Sequence, residues 1–455
     1  TKYRGQATKD NLFKLELDSK KFQLGALGQH ILNLSTMAMQ RVNDTRNVDV
    51  EAPLASDPLT GYTVRMGKVF KYGEPMGVFA QTYSFLNPIT RFNWGVSLMD
   101  DIAFNEKLTM KLGARYDLFS TKDDRKGGAQ NMGYIDYLLR NMQGAAMNFD
   151  PINDKESGFS FLGVVSYAHS QLLNASYRFS TGFRVPNTEE KYFQFYSAWP
   201  SFIVLSNRDL KAEKSYNHEL EFNGRGKGFG YLLSLYYNQY SDFIELKQGT
   251  LAVKEPLMQA PKSISYVKNV NQTSAHLKGF DAALQLYPGE WIDLLKGFMV
   301  SSAFSYAEGS SSSGMSMLGI QPLTGNIGVE YTDPKARWQV NIKANLYFAK
   351  PVSQTTFWDK DAAGKELIRR YPASFMSNAY TFDAYGYYKV TRNFTVRLGI
   401  YNILNSEYLR WDDLRQLTNP ALLSNINYFF QDGKKSLSRF SRPKRYISLA
   451  LEYKI

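Results

Sequence analysis

Apolar and polar residues alternate along much of this chain with a period of two, the mark of extended strands with two unlike faces. The cleanest run is 338–348, where Trp338, Val340, Ile342, Ala344, Leu346 and Phe348 alternate with Gln339, Asn341, Lys343, Asn345 and Tyr347. The run 108–118 repeats it, with Leu108, Met110, Leu112, Ala114, Tyr116 and Leu118 set against Thr109, Lys111, Gly113, Arg115 and Asp117. So does the C-terminal end, where Ile447, Leu449, Leu451, Tyr453 and Ile455 oppose Ser448, Ala450, Glu452 and Lys454. Strands are also predicted at 11–17 and 29–40, joined by a polar turn near 19–21. The stretch 41–92, broken by Pro53, Pro58, Pro75 and Pro88, predicts a long loop with one short strand near 77–86. About fifteen strands are expected in all.

The connections alternate in length. Short ones fall at 105–106, 169–170, 226–228, 288–295, 333–335 and 391–393. Long ones fall at 121–157 and at about 184–212, 246–271, 308–318, 350–378 and 408–440. An all-β, transmembrane, antiparallel up-and-down β-barrel has this form, with short turns on one side of the bilayer and long loops on the other. A soluble sandwich, propeller or β-repeat adhesin has no reason to lengthen every second connection. A strand of about eleven residues, tilted by ~45°, spans a bilayer, and the run 338–348 carries aromatic residues at both ends as a girdle does. Lys343 at its middle is expected to face the lumen, because a lysine facing lipid there costs ~2–4 kcal/mol.

Composition sharpens this picture. Tyr (31) and Phe (30) are unusually frequent, which suits strands and interfacial girdles. No window approaches the roughly eighteen apolar residues of a transmembrane helix. With no cysteine, disulfides, thiolate metal sites and thiol nucleophiles are all excluded. The net charge of +12 is spread over strands and loops and not gathered in a block, so no nucleic-acid partner is expected. There is no Ser/His/Asp set, no paired carboxylates in a cleft pattern and no nucleotide fingerprint, and the glycines of 224–230 read as a turn. An enzyme is not expected.

The stretch 183–215 carries the candidate chemistry. Phe183-Arg184-Val185-Pro186 is followed by a loop rich in aromatics, with Tyr192, Phe193, Phe195, Tyr196 and Trp199. Asn207-Arg208-Asp209-Leu210 and Lys211-Ala212-Glu213-Lys214-Ser215 come next. Exposed aromatic side chains on a loop give large contact area at low entropic cost, so these five are the candidate ligand surface, with a loop that packs on itself as a plug as the alternative. Phe183, Arg184, Pro186, Asn207, Asp209 and Leu210 are the expected anchors of the loop's feet, with Pro186 ending a strand and Asn207 and Asp209 forming side-chain turns.

The pairing of FRVP with NRDL and KAEKS resembles the signature of TonB-dependent haem and haemoglobin receptors of the bacterial outer membrane. Asn402-Ile403-Leu404-Asn405, Tyr408, Trp411-Asp412, Arg439-Phe440 and Pro443-x-Arg445 resemble the family's closing segment, with Lys444 where Gly is usual. The resemblance covers essentially the whole chain and implies the C-terminal part of a barrel of about 22 strands. The N-terminal plug, the segment that contacts the TonB complex and about seven strands would lie outside it. It implies haem as a transported ligand with no permanent cofactor, and haemoglobin or another host iron protein as partner. The His that such receptors place between the two motifs is missing, which leaves the phenolates of Tyr192 and Tyr196 as candidate iron ligands. Transferrin and lactoferrin receptors share much of the pattern and need no haem ligand. A passive outer-membrane pore is a further alternative.

His30, His169, His218 and His276 are the only histidines and show no metal-site spacing. His218 and His276 are read at strand starts near the loop end, His169 in a turn, and all four as hydrogen-bonding wall residues. The basic run Lys434, Lys435, Arg439, Arg442, Lys444 and Arg445 is a candidate surface for lipopolysaccharide phosphates or an acidic partner, or else a solvated loop.

Overall fold

A computed structural model describes residues 2–51, 62–65, 68–71, 79–83, 89–123, 142–145, 151–198, 201–254, 260–360, 366–371, 377–413 and 441–454. Among the described residues the main sheet has nineteen strands. Four are short, Phe22–Gln23, Phe79–Tyr83, Phe195–Ala198 and Ser201–Leu205. The fifteen long ones run from Lys2–Asp18 to Tyr446–Tyr453, each antiparallel to the next along the chain. Among the described residues the first pairs only with Gln29–Glu51 and the last only with Phe394–Tyr401.

Alternation gives this wall an apolar outside and a polar inside. On Trp338–Tyr347, Trp338, Val340 and Ile342 are 37%, 43% and 54% exposed, while Asn341 between them is buried. Asn341 donates to Glu330 (3.2 Å) and Asn345 to Asp383 (2.8 Å), so the inner face is laced by polar side chains. A protein in water would bury those three apolar side chains; this one offers them to lipid. The clusters of buried apolar residues lie elsewhere, among the long loops: Met142, Ile203, Val253 and Ile264; Phe357, Tyr371 and Trp411; Ile89, Ile152 and Tyr192.

The short turns sit where expected within a few residues. The first is a correction: it spans 19–28, with a 3₁₀ turn at Gly25–Leu27, and not merely 19–21. At 227–228 the φ of +82° at Gly228 needs a glycine, and the Trp291 ring packs against it, closing this turn onto its neighbour at 288–295.

The long loops depart more from expectation. The strand expected at 29–40 runs to Glu51, paired with Lys2–Asp18, Phe79–Tyr83 and Ile89–Ala103. The loop expected at 246–271 is instead the upper half of Phe229–Val253 and Lys262–Leu286, two strands paired along nearly their whole length. At 25 residues each, they are roughly twice as long as a tilted crossing requires. Asp242, at φ +52°, marks the point where the neighbouring strand Glu213–Gly226 stops pairing and the ribbon continues alone. The region 350–378 also holds a small ribbon, Thr356–Lys360 with Glu366–Arg370. All these extensions lack alternation for one reason: beyond the bilayer neither face of a strand meets lipid, so backbone pairing proceeds with polar residues on both sides.

Candidate functional site

The aromatic loop is not irregular. After Arg184 the chain forms one short helix, Thr188–Tyr192, then the hairpin Phe195–Ala198 with Ser201–Leu205. The helix starts with a capping box: Asn187 Oδ1 accepts from the Glu190 N–H (2.7 Å), and Glu190 Oε2 accepts from the Asn187 N–H (2.8 Å). The same glutamate receives Arg184 Nη1 (2.9 Å), while Arg184 Nη2 reaches Glu213 (3.2 Å) at the start of the next wall strand. One guanidinium thus joins both feet of the loop.

The helix is fastened to the wall from below. Lys191 is buried, with Nζ 2.7 Å from Glu156 and 3.1 Å from Asp154. Tyr192 packs on Ile89 and Ile152, and its hydroxyl donates to Asp154. The Arg208 guanidinium lies 5.8 Å from the centre of the Tyr192 ring. Burial, reinforced by the Asp154 carboxylate, pushes the Tyr192 phenol well above its ordinary range.

Phe183 lies over Gly158, where a Cβ would come within 2.6 Å of the ring, and against Phe119 at 6.2 Å. Pro186 and Leu210 are buried; Asp209 is exposed. Asn207 donates through Nδ2 to the Asn269 carbonyl (2.8 Å), and Asn269 in turn donates to the Glu190 carbonyl (3.2 Å). Asn271 accepts from the Lys211 N–H (2.9 Å) and donates to the Lys211 carbonyl (3.1 Å). These amides tie the returning foot to the ribbon.

The hairpin itself docks on that ribbon. Phe202 to Leu205 pair in parallel with Ser265 to Lys268, and Ile203 is fully buried against Met142, Val253 and Ile264. Gln143, from the preceding long loop, exchanges two backbone hydrogen bonds with Lys254 near the ribbon's tip (3.0 and 2.9 Å). Three loops thereby share one small core at the mouth.

The expected ligand surface divides accordingly. Tyr192 is a correction: it points into the wall, and its raised phenol disfavours the phenolate that iron ligation needs. Phe193 is half-buried; Phe195 and Tyr196 lie on the hairpin's first strand; Trp199 lies outside the described residues. His276 is a further correction, lying mid-strand opposite Gln239 and not at a strand start. His218 accepts or donates at Nδ1 with the Tyr177 hydroxyl (2.8 Å), and His30 with Asp100 (2.9 Å). Of the basic run, 434, 435 and 439 lie outside the described residues. Arg442 pairs with Asp413 (2.9 Å) and Lys444 with Glu407 (3.3 Å).

A second cluster at the mouth was not singled out from sequence as a site. Trp411 is buried with Phe357 and Tyr371 and donates from Nε1 to the Leu318 carbonyl (2.7 Å). Lys350 is 3% exposed beneath it, with Nζ 5.4 Å from the centre of the indole. Asn402, at φ +50°, binds Ser406 and the Pro443 carbonyl and holds this closing segment together. The sequence signal for it was the NILN and Trp411-Asp412 resemblance; nothing local marks Lys350.

A family model described as TonB dependent receptor-like, beta-barrel matches residues 3–403. Among curated relatives, Hemoglobin-binding protein A of Haemophilus influenzae is 26% identical, over 82% of this chain and 38% of its own length. Hemoglobin-haptoglobin utilization protein B of Neisseria meningitidis is 28% identical, over 77% and 42%. This chain spans about two-fifths of the length of these relatives. Among solved structures, the pyoverdine outer membrane receptor FpvA of Pseudomonas aeruginosa PAO1 gives a TM-score of 0.60 at 12% identity, covering 100% of this chain and 54% of that one. Copper transporter OprC gives 0.58 at 16% identity, covering 90% and 54%. At such identities the likeness shows the fold alone. The wall of alternating strands and the family match lead to one conclusion: the chain belongs to the TonB-dependent receptor-like β-barrel family, receptors of the bacterial outer membrane and not enzymes.

Proposed function

We propose that the chain is the C-terminal part of a TonB-dependent receptor that takes haem from haemoglobin and passes it inward through its barrel. The whole barrel would have about 22 strands around an N-terminal plug, and energy would come from the TonB complex through that plug. The observation that carries the reading is the aromatic hairpin, presented at the mouth on a braced foot, in a chain whose relatives are named for binding haemoglobin or haemoglobin–haptoglobin. Phe193, Phe195, Tyr196 and Trp199 form the capture surface. Tyr192 joins Phe183, Arg184, Pro186, Asn207 and Leu210 as an anchor. A braced loop loses little entropy on binding, which favours affinity. Arg442, Lys444 and Arg445 face the lipopolysaccharide headgroups.

The test is a titration of the full-length receptor in detergent with haemoglobin, haem and transferrin, followed by calorimetry and the haem Soret band. Haemoglobin or haem binding that disappears when 195–205 is replaced by a short Gly/Ser link supports the reading. Transferrin binding without a Soret change overturns it in favour of a ferric-iron receptor.

A further inference from the structure

Beside the closing segment lies a cavity of about 220 Å³ walled by Tyr347, Phe348, Lys350, Arg410, Trp411 and Asp412. Two cations line it. Lys350 has three N–H donors; one goes to the Ile320 carbonyl (2.7 Å), and no carboxylate among the described residues lies within salt-bridge distance. Arg410 stacks on the Tyr347 ring (5.8 Å), and its Nε is buried without a hydrogen-bond partner. Asp413, the nearby carboxylate that would neutralise them, is taken by Arg442. Glu308 acts on the Lys350 ammonium only through space and is itself paired with Lys278 (3.0 Å), so the buried cation gains from an anion that joins it.

We propose that this cavity binds a carboxylate carried on a flat apolar body, an aromatic monocarboxylate. Lys350 and Arg410 receive the carboxylate, and the Tyr347, Phe348 and Trp411 rings pack on the body. The two cationic donors in the lining, the Lys350 ammonium and the Arg410 guanidinium, suit one carboxylate group. The cavity holds one or two fused rings; a macrocycle enters only by an edge. Burial draws the Lys350 ammonium down to about 8, opposed only in part by Glu308. The inference stands apart from the haem reading and does not fall with it.

The probe is 1-naphthoate, compared with its uncharged methyl ester, in equilibrium dialysis against the full-length receptor in detergent. The expected result is that naphthoate binds at least about tenfold tighter than the ester. Lys350→Met and Arg410→Gln should each remove that preference, while Lys350→Arg keeps it. Heat-modifiable migration on a gel checks that each barrel is folded, and Arg410→Gln decides the matter if Lys350→Met fails that check. Equal binding of acid and ester by the wild type, or naphthoate binding by a folded Arg410→Gln variant at the wild-type level, overturns the proposal.

Discussion

The Tyr192 hydroxyl donates to the Asp154 carboxylate, thirty-eight residues away in sequence, and so fastens the aromatic loop to the wall strand that begins beside it. Tyr192→Phe keeps the packing on Ile89 and Ile152 and removes only this bond. Losing one hydrogen bond to a charged acceptor should loosen the loop by about 1.5–3 kcal/mol. Hydrogen exchange of the 188–205 amides should quicken, while heat-modifiable migration of the barrel stays unchanged. The haem spectrum of the loaded receptor should not change either. A shift in its charge-transfer bands would restore Tyr192 as an iron ligand.

Lys191 carries more of the load. Its ammonium sits between Asp154 and Glu156 with only 7% of its side chain exposed. Lys191→Met leaves two carboxylates facing one another with only Arg91 acting on Glu156 through space, which costs up to about 3–5 kcal/mol. Limited proteolysis should then cut within 188–205 in the folded barrel. Adding Glu156→Gln to this variant should recover part of the protection, because the two changes act on one network and are not additive.

The wall was legible because lipid writes it. Every second residue of 338–348 or 447–455 must be apolar, and that constraint shows directly in the sequence. Above the bilayer it lapses, so the ribbon of Phe229–Val253 with Lys262–Leu286 reads as a loop although its backbone is fully paired. The site was half legible for a related reason. Arg184, Asn207 and Leu210 could be read as anchors from the two motifs that contain them. Tyr192 and Trp411 are aromatic residues whose direction depends on partners far along the chain, Asp154 and Leu318. Local pattern says that such residues need covering and does not say by what.

The assignment of faces on Trp338–Tyr347 can be tested by charge. Ile342 is exposed to lipid and Lys343 faces inward. Ile342→Lys should destabilise the barrel by ~2–4 kcal/mol if it sits near the midplane. Asn345→Lys, on the inner face beside Asp383, should cost far less. Urea unfolding in phospholipid vesicles measures both. Equal losses would show that the two faces have been assigned wrongly.

Lys350 gives the mouth a dependence on pH whose sign follows from its burial. Its ammonium titrates near 8 in place of its ordinary 10.5, because burial disfavours the charged form. When the closing segment undocks, the lysine regains water and its ordinary affinity for protons. Between about 8 and 10.5 the undocked state therefore binds more protons, and docking strengthens as pH rises through that window, by up to ~1.4 kcal/mol per pH unit. Below about 8 both states are charged, so the full penalty remains and does not change. Hydrogen exchange over 405–413 without added anion should slow from pH 8 to 10, after correction for the intrinsic rate. Lys350→Met should abolish that slope and leave Glu308, Arg410, Asp412, Tyr347 and Tyr408, the other groups around the ammonium, in place. Tyr408, pushed up to about 12 mainly by burial and also by Tyr347, stays protonated throughout. Bound naphthoate should respond in the opposite direction, leaving as the ammonium loses its proton. Lys350→Arg, charged at every pH in the range, should retain the anion at pH 10.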